Sequence, residues 1–125
     1  MNDYTLLLRQ IHPGFIQNGR PSSQAFRPTP KDEQKLSVSD GDMISPSDAW
    51  NYYSNTLCLV SIGVMAVSVP ECSDLALSVI PDPEPFPEHV LIDFSAHGKS
   101  AIEKKAKQLK VKAETRGWLF LMAAG

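Results

Sequence analysis

The chain has 125 residues, 42% of them hydrophobic and 21% charged, with 12 basic and 14 acidic side chains. That is the size and balance of one folded domain rather than a disordered segment, and such a domain needs no metal or disulfide staple. A net charge of −2 excludes a protein that coats nucleic acid through bulk positive charge.

In chain order, Tyr4–Ile11 (YTLLLRQI) is a predicted strand, stopped by His12-Pro13-Gly14. Asn18-Gly19 predicts a tight turn, because both residues tolerate positive φ. Arg20 to Lys35 is rich in Pro, Ser and charge and reads as an irregular, ordered loop held by Phe26. Leu36-Ser37-Val38 is a short strand and Asp40-Gly41-Asp42 a turn. Ser45 as N-cap, Pro46 at the first helical position and Asp48 in the first turn start a helix predicted over 46–54.

Leu57–Val69 is the strongest strand and the expected centre of the sheet. It is rich in β-branched residues on both faces, and Gly63 marks a bulge or a close neighbour. Pro70 ends it, and Leu75–Ile80 is a second apolar run. Pro81 to Pro87 is expected to be extended and outside any central ladder. His89–Phe94 is another strand. A final helix is predicted over 101–116, with Ser100-x-x-Glu103 as its capping box. Ile102, Ala106, Leu109 and Ala113 form its apolar stripe, and Gly117 ends it. Trp118–Met122 is a last strand or a docked tail. Without regular βαβ alternation, the expected fold class is α+β: one domain over 1–125, a small, mostly antiparallel sheet packed by two helices.

The charge is segregated along this pattern. Met1 to Ser39 holds five basic and three acidic side chains, Asp40 to Gly98 nine acidic and no Lys or Arg, and Lys99 to Gly125 seven basic and two acidic. Opposite blocks favour docking of the ends on the middle, within one chain or across a homodimer. The lysines flank the apolar stripe of the last helix on both sides and lack interleaved aromatics, so they read as a solvated surface rather than a nucleic-acid face.

The N-terminus lacks the basic and apolar regions of a signal peptide, and no apolar run reaches the roughly 18 residues of a membrane span. Cys58 and Cys72 have no CxxC spacing and are expected to be buried, reduced thiols, with a disulfide between them as the alternative. Together these imply a cytoplasmic protein.

Few residue patterns carry chemistry. His89-x-x-x-Asp93-x-x-x-His97 has ligand-like spacing, but a straight strand would hold the two imidazoles roughly 26 Å apart, too far for one ion. Asp40-Gly41-Asp42 is too short for a calcium loop. No phosphate loop, zinc motif or dinucleotide fingerprint occurs, so no cofactor and no metal site is expected.

The N-terminal loop gathers His12, Arg20, Ser22, Ser23 and Asp32. His12 and Ser23 have the residue types of nucleophilic catalysis. Arg20 and Ser22, joined by His89, have those of an anion site, since a guanidinium fork and loop hydroxyls suit phosphate or carboxylate. Satisfying the loop's own backbone is the third reading. Two functions follow: a small binding or interaction protein, or a small enzyme acting on a nucleotide or phosphorylated substrate through His12, Arg20 and Ser23. Convergence of these side chains on one concavity discriminates them.

The motifs His12-Pro13, Gly19-Arg20, Ser22-Ser23, Ala25-Phe26, Pro28, Lys31-Asp32 and Leu36-Ser37-Val38 resemble a family of small bacterial proteins of uncharacterised activity. GVMAVSVPEC and DPEPFPEHVLIDF extend the resemblance from Tyr4 to Phe94. It implies a bacterial, cytoplasmic protein, in a class of genes that travels on mobile elements.

Overall fold

The computed structural model describes residues 1–84 and 86–122. The chain runs through β1 (Leu6–Ile11), a small hairpin of β2 (Ile16–Gln17) and β3 (Arg20–Pro21), then β4 (Lys35–Asp40). Helix α1 (Pro46–Asn51), β5 (Gly63–Ser68), α2 (Val69–Ser73), β6 (Ser78–Pro81), β7 (His89–Asp93), α3 (Lys99–Arg116) and β8 (Phe120–Leu121) follow. Apart from the hairpin, the strands form one six-stranded sheet in the order β6-β7-β4-β1-β5-β8. Every neighbouring pair is antiparallel, and the fold is α+β.

Period-two alternation divides the strands between two faces. On one face Leu7, Ile11, Leu36, Val38, Met65, Val67, Val90 and Ile92 pack against Ile102, Ala106, Leu109 and Ala113 of α3. The predicted stripe is therefore the buried side of α3. Phe26 is fully buried in the same core and ties the 20–35 loop beneath that helix. On the other face Leu8, Val64 and Ala66 are closed over by Ala49 and Trp50 of α1 and by Phe120. Further along that face, Ser37, Ser39 and His89 of β4 and β7 line a cleft instead.

Several expectations are corrected. Strand β5 starts at Gly63, not Leu57, and lies one strand from the edge rather than at the centre. A strand extends only as far as its neighbour offers a ladder. β1 ends with Ile11 opposite Gly63, because Pro13 has no N–H to give. Leu57, Leu59 and Val60 are consequently left exposed. Gly63 answers to the second of its two readings: a Cβ there would stand 2.5 Å from the carbonyl of Phe120 in β8.

The helix expected over 46–54 is α only to Asn51 and continues as a π turn over Tyr52–Thr56. Its N-terminus is as expected, with Ser45 Oγ accepting from the Asp48 N–H.

Pro70 does not simply break the chain. It occupies the first turn of α2, which Ser68 and Glu71 close with a reciprocal capping box. The box expected at Ser100 and Glu103 does not form, because Gly98 is the N-cap and Ser100 already lies inside the helix. The proline-rich run is extended only to Pro81 and then turns back, closed by the Asp82 N–H on the His89 carbonyl at 2.9 Å. Pro85 in this run lies outside the described residues. No helix among the described residues is long and apolar enough to cross a membrane.

Candidate functional site

Local turn chemistry places the N-terminal loop against α3. Asn18 and Gly19 take φ of 52° and 77°, which turns the β2–β3 hairpin and presents Arg20. The Ser22 N–H donates to the Phe15 carbonyl at 2.8 Å, and Ser23 opens a 3-10 turn ending at the buried Phe26. Arg20, Ser22 and Ser23 thereby face Lys107 and Lys110 across a cleft of about 480 Å³.

The electrostatics of this cleft centre on Glu114. Arg20 donates to it through Nε at 2.7 Å and Nη2 at 2.8 Å, a bidentate fork, and Lys110 adds a contact at 3.3 Å. The Arg20 hydrogen bonds, aided by Lys110, pull the Glu114 carboxyl down to about 2. The same fork raises the pKa of Arg20. Arg20 and Lys110 share that one carboxylate and Lys107 stands on the same lining, so the cleft stays positive. Ser22 Oγ on its wall is buried with no protein partner, a costly state for a hydroxyl.

The structure does not bring the other loop residues here. His12 Nδ1 accepts from the Gly14 N–H at 2.8 Å, its ring packs edge-on against Phe15, and it does not line the cleft. Asp32 accepts from Thr29 Oγ1 at 2.8 Å within its own turn. The basic side chains of α3 divide their work. Lys107 and Lys110 face the cleft, Lys105 Nζ caps the Leu75 carbonyl at 2.6 Å, and Arg116 pairs with Glu71. The last contact joins the basic end of the chain to its acidic middle.

His89 lies on the opposite side of the sheet, in a second constellation. It is 8% exposed. Its Nε2 is 2.5 Å from Ser37 Oγ on β4, and its Nδ1 is 3.1 Å from the Asp82 carbonyl and 3.2 Å from Asp82 Oδ2. Both Asp82 oxygens can only accept, so Nδ1 carries the proton in the neutral ring. Nε2 is then an acceptor and Ser37 the donor. Phe86 packs edge-on against the imidazole at 5.1 Å between centroids, and Tyr52 packs on Phe86 at 5.5 Å.

Cys58 and Cys72 are both free, but Cys58 is exposed, contrary to expectation. It sits at φ 55° in the unpaired stretch before β5. Burial, with the Glu71 charge nearby, pushes the Cys72 thiol up to about 12. Among the described residues no group of His, Cys, Asp or Glu is arranged to hold a metal ion. His97 Nε2 instead meets the Ala76 carbonyl at 2.9 Å.

Sequence reasoning missed Lys107, Lys110 and Glu114 as partners of Arg20. It also missed Ser37 and Asp82 as partners of His89. Only the one-turn spacing of Lys107 and Lys110 on the outer side of a well-marked helix gave any signal. The Ser37–His89 contact crosses two strands 52 residues apart. No family model, no curated protein and no solved structure matches the chain, so its residues carry the functional reading unaided.

Proposed function

We propose that this chain is a small cytoplasmic binding protein that captures an anionic, phosphorylated ligand in the cleft between the β2–β3 hairpin and α3. The convergence of Arg20, Ser22 and Ser23 with Lys107 and Lys110, from segments more than 80 residues apart, carries this reading. Guanidinium and ammonium groups supply charge, and serine hydroxyls supply directed hydrogen bonds, which is what a phosphate needs. Three motif residues of the bacterial family resemblance, Arg20, Ser22 and Ser23, lie on this rim and support the reading. Glu114 acts as an internal placeholder that an incoming anion displaces from Arg20 and Lys110.

The alternative, an enzyme acting on a nucleotide or phosphorylated substrate through His12, Arg20 and Ser23, has less support, because His12 does not share the cleft. A second copy of the chain remains the partner implied by a basic α3 and an acidic middle segment. Sedimentation at low and high salt reads that association.

A thermal-shift screen with pyrophosphate, nucleotides and phosphosugars, followed by calorimetry on any hit, tests the cleft. Arg20→Ala is expected to weaken binding by about tenfold or more through loss of a bidentate contact. Glu114→Gln is expected to tighten it by freeing two cations. A hit that ignores both substitutions sinks the proposal.

A further inference from the structure

Ser37, His89 and Asp82 form a hydroxyl–imidazole–carboxylate chain that the anion cleft does not use. We propose that they constitute a hydrolytic site, with Ser37 as nucleophile, His89 as general base and Asp82 as its positioning residue, acting on esters of a short apolar acyl group. The geometry is that of an activated nucleophile: Oγ and Nε2 are 2.5 Å apart, and the Asp82 oxygens at 3.1 and 3.2 Å fix the tautomer that leaves Nε2 free to take a proton. Ser37 is exposed while its base is buried, so substrate can reach the oxygen and water does not compete freely for the imidazole.

The surroundings name the substrate class. Ser37 and His89 line a cleft of about 310 Å³ whose apolar wall includes Tyr53, Leu57, Leu59 and Phe86. Leu57 and Leu59 belong to the stretch that failed to join β5, and they stand 39% and 48% exposed beside the serine. Such a wall suits an acyl chain. From the other face of the sheet Arg9 holds the β4 backbone at the serine in place, its Nη1 donating to the Ser37 carbonyl at 3.1 Å and its Nε to the Ala25 carbonyl at 2.7 Å.

In the reaction, Ser37 Oγ bonds to the ester carbonyl carbon as its proton passes to His89 Nε2. Collapse breaks the bond to the alcohol oxygen, which leaves with that proton. A water then gives its proton to His89 and attacks the acyl-serine. His89 returns the proton to Ser37 as the carboxylic acid departs.

Labelling with a fluorophosphonate, read by intact mass and peptide mapping, tests the site directly. One adduct on Ser37 is expected in the wild-type chain, none in Ser37→Ala, and labelling slowed by about 10²–10⁴-fold in His89→Gln, the usual contribution of a general base. Asp82→Asn should slow labelling less, because the backbone carbonyl still meets Nδ1, and Asp82→Glu should recover part of the rate. 4-Nitrophenyl butyrate should turn over with the same order of variants. Circular dichroism melts confirm that each variant is folded. A folded wild-type protein that takes no adduct on Ser37, takes it on another serine, or labels as fast in His89→Gln overturns the proposal. That result would leave His89 as a histidine satisfied on an open sheet face.

Discussion

Replacing Arg116 with alanine removes three hydrogen bonds that tie the last turn of α3 to the rest of the fold. Nη1 donates to the Ala66 carbonyl of β5 at 2.9 Å and to Glu71 Oε1 at 3.0 Å, and Nη2 donates to Glu71 Oε2 at 3.1 Å. The two side chains are only 26% and 18% exposed, so the pair is worth more than a surface ion pair yet less than a dry one. About 1 kcal/mol for the pair and about 1 kcal/mol for the carbonyl bond give a loss of about 2 kcal/mol. In a domain of this length that lowers Tm by roughly 6–10 °C.

Urea unfolding of wild type, Arg116→Ala, Glu71→Gln and the double variant separates the two parts. The amide oxygen introduced by Glu71→Gln can still accept the Ser68 N–H of the capping box, so the cycle isolates the ion pair, with an expected coupling of about 1 kcal/mol at pH 7. Burial pushes the Glu71 carboxyl up, but the Arg116 hydrogen bonds and the Ser68 N–H outweigh it, leaving the pKa below its ordinary 4.5. A depressed folded pKa stabilises the native state fully above the unfolded value and loses that stability as pH falls through the folded one. The coupling should therefore hold at pH 7, begin to fall near pH 4.5 and vanish in stronger acid. A coupling of zero at pH 7, or one that does not change in acid, refutes the assignment of Arg116–Glu71 as the clasp between α3 and α2.

Cys58 should react with a thiol reagent in the native protein, whereas Cys72, buried and with its thiol raised to about 12, should react only on unfolding. Two equivalents reacting at once under native conditions would contradict that burial. Gly63→Ala places a methyl 2.5 Å from the Phe120 carbonyl and 3.0 Å from the Trp118 ring. A loss of about 1–3 kcal/mol in urea unfolding is expected as β8 is forced away, and unchanged stability would show that β8 yields without cost.

Much of the fold is legible because it is written in local chemistry. Pro13 limits β1, Asn18-Gly19 turns the hairpin, Ser45-Pro46 starts α1, and the Ile102, Ala106, Leu109 and Ala113 stripe declares which side of α3 is buried. Periodicity, caps and φ preferences act over a few residues, so they survive without knowledge of the fold. Arg20, Ser22 and Ser23 are readable as a cluster for the same reason, being close in sequence. Ser68-x-x-Glu71 is equally local, yet Pro70 between them reads as a breaker when it serves as a first-turn residue.

By itself the sequence determined the class of the fold, the buried side of its long helix and the segregation of charge along the chain. Tertiary structure alone decided how far β5 runs, because strand length depends on the ladder that β1 offers up to Ile11. It also decided that Arg20 meets Glu114 and Lys110, that Arg116 clasps Glu71, and that Ser37 and Asp82 reach the two nitrogens of His89. Each of these depends on strand order and register, which join residues tens of positions apart and leave no periodic trace in any short window of sequence.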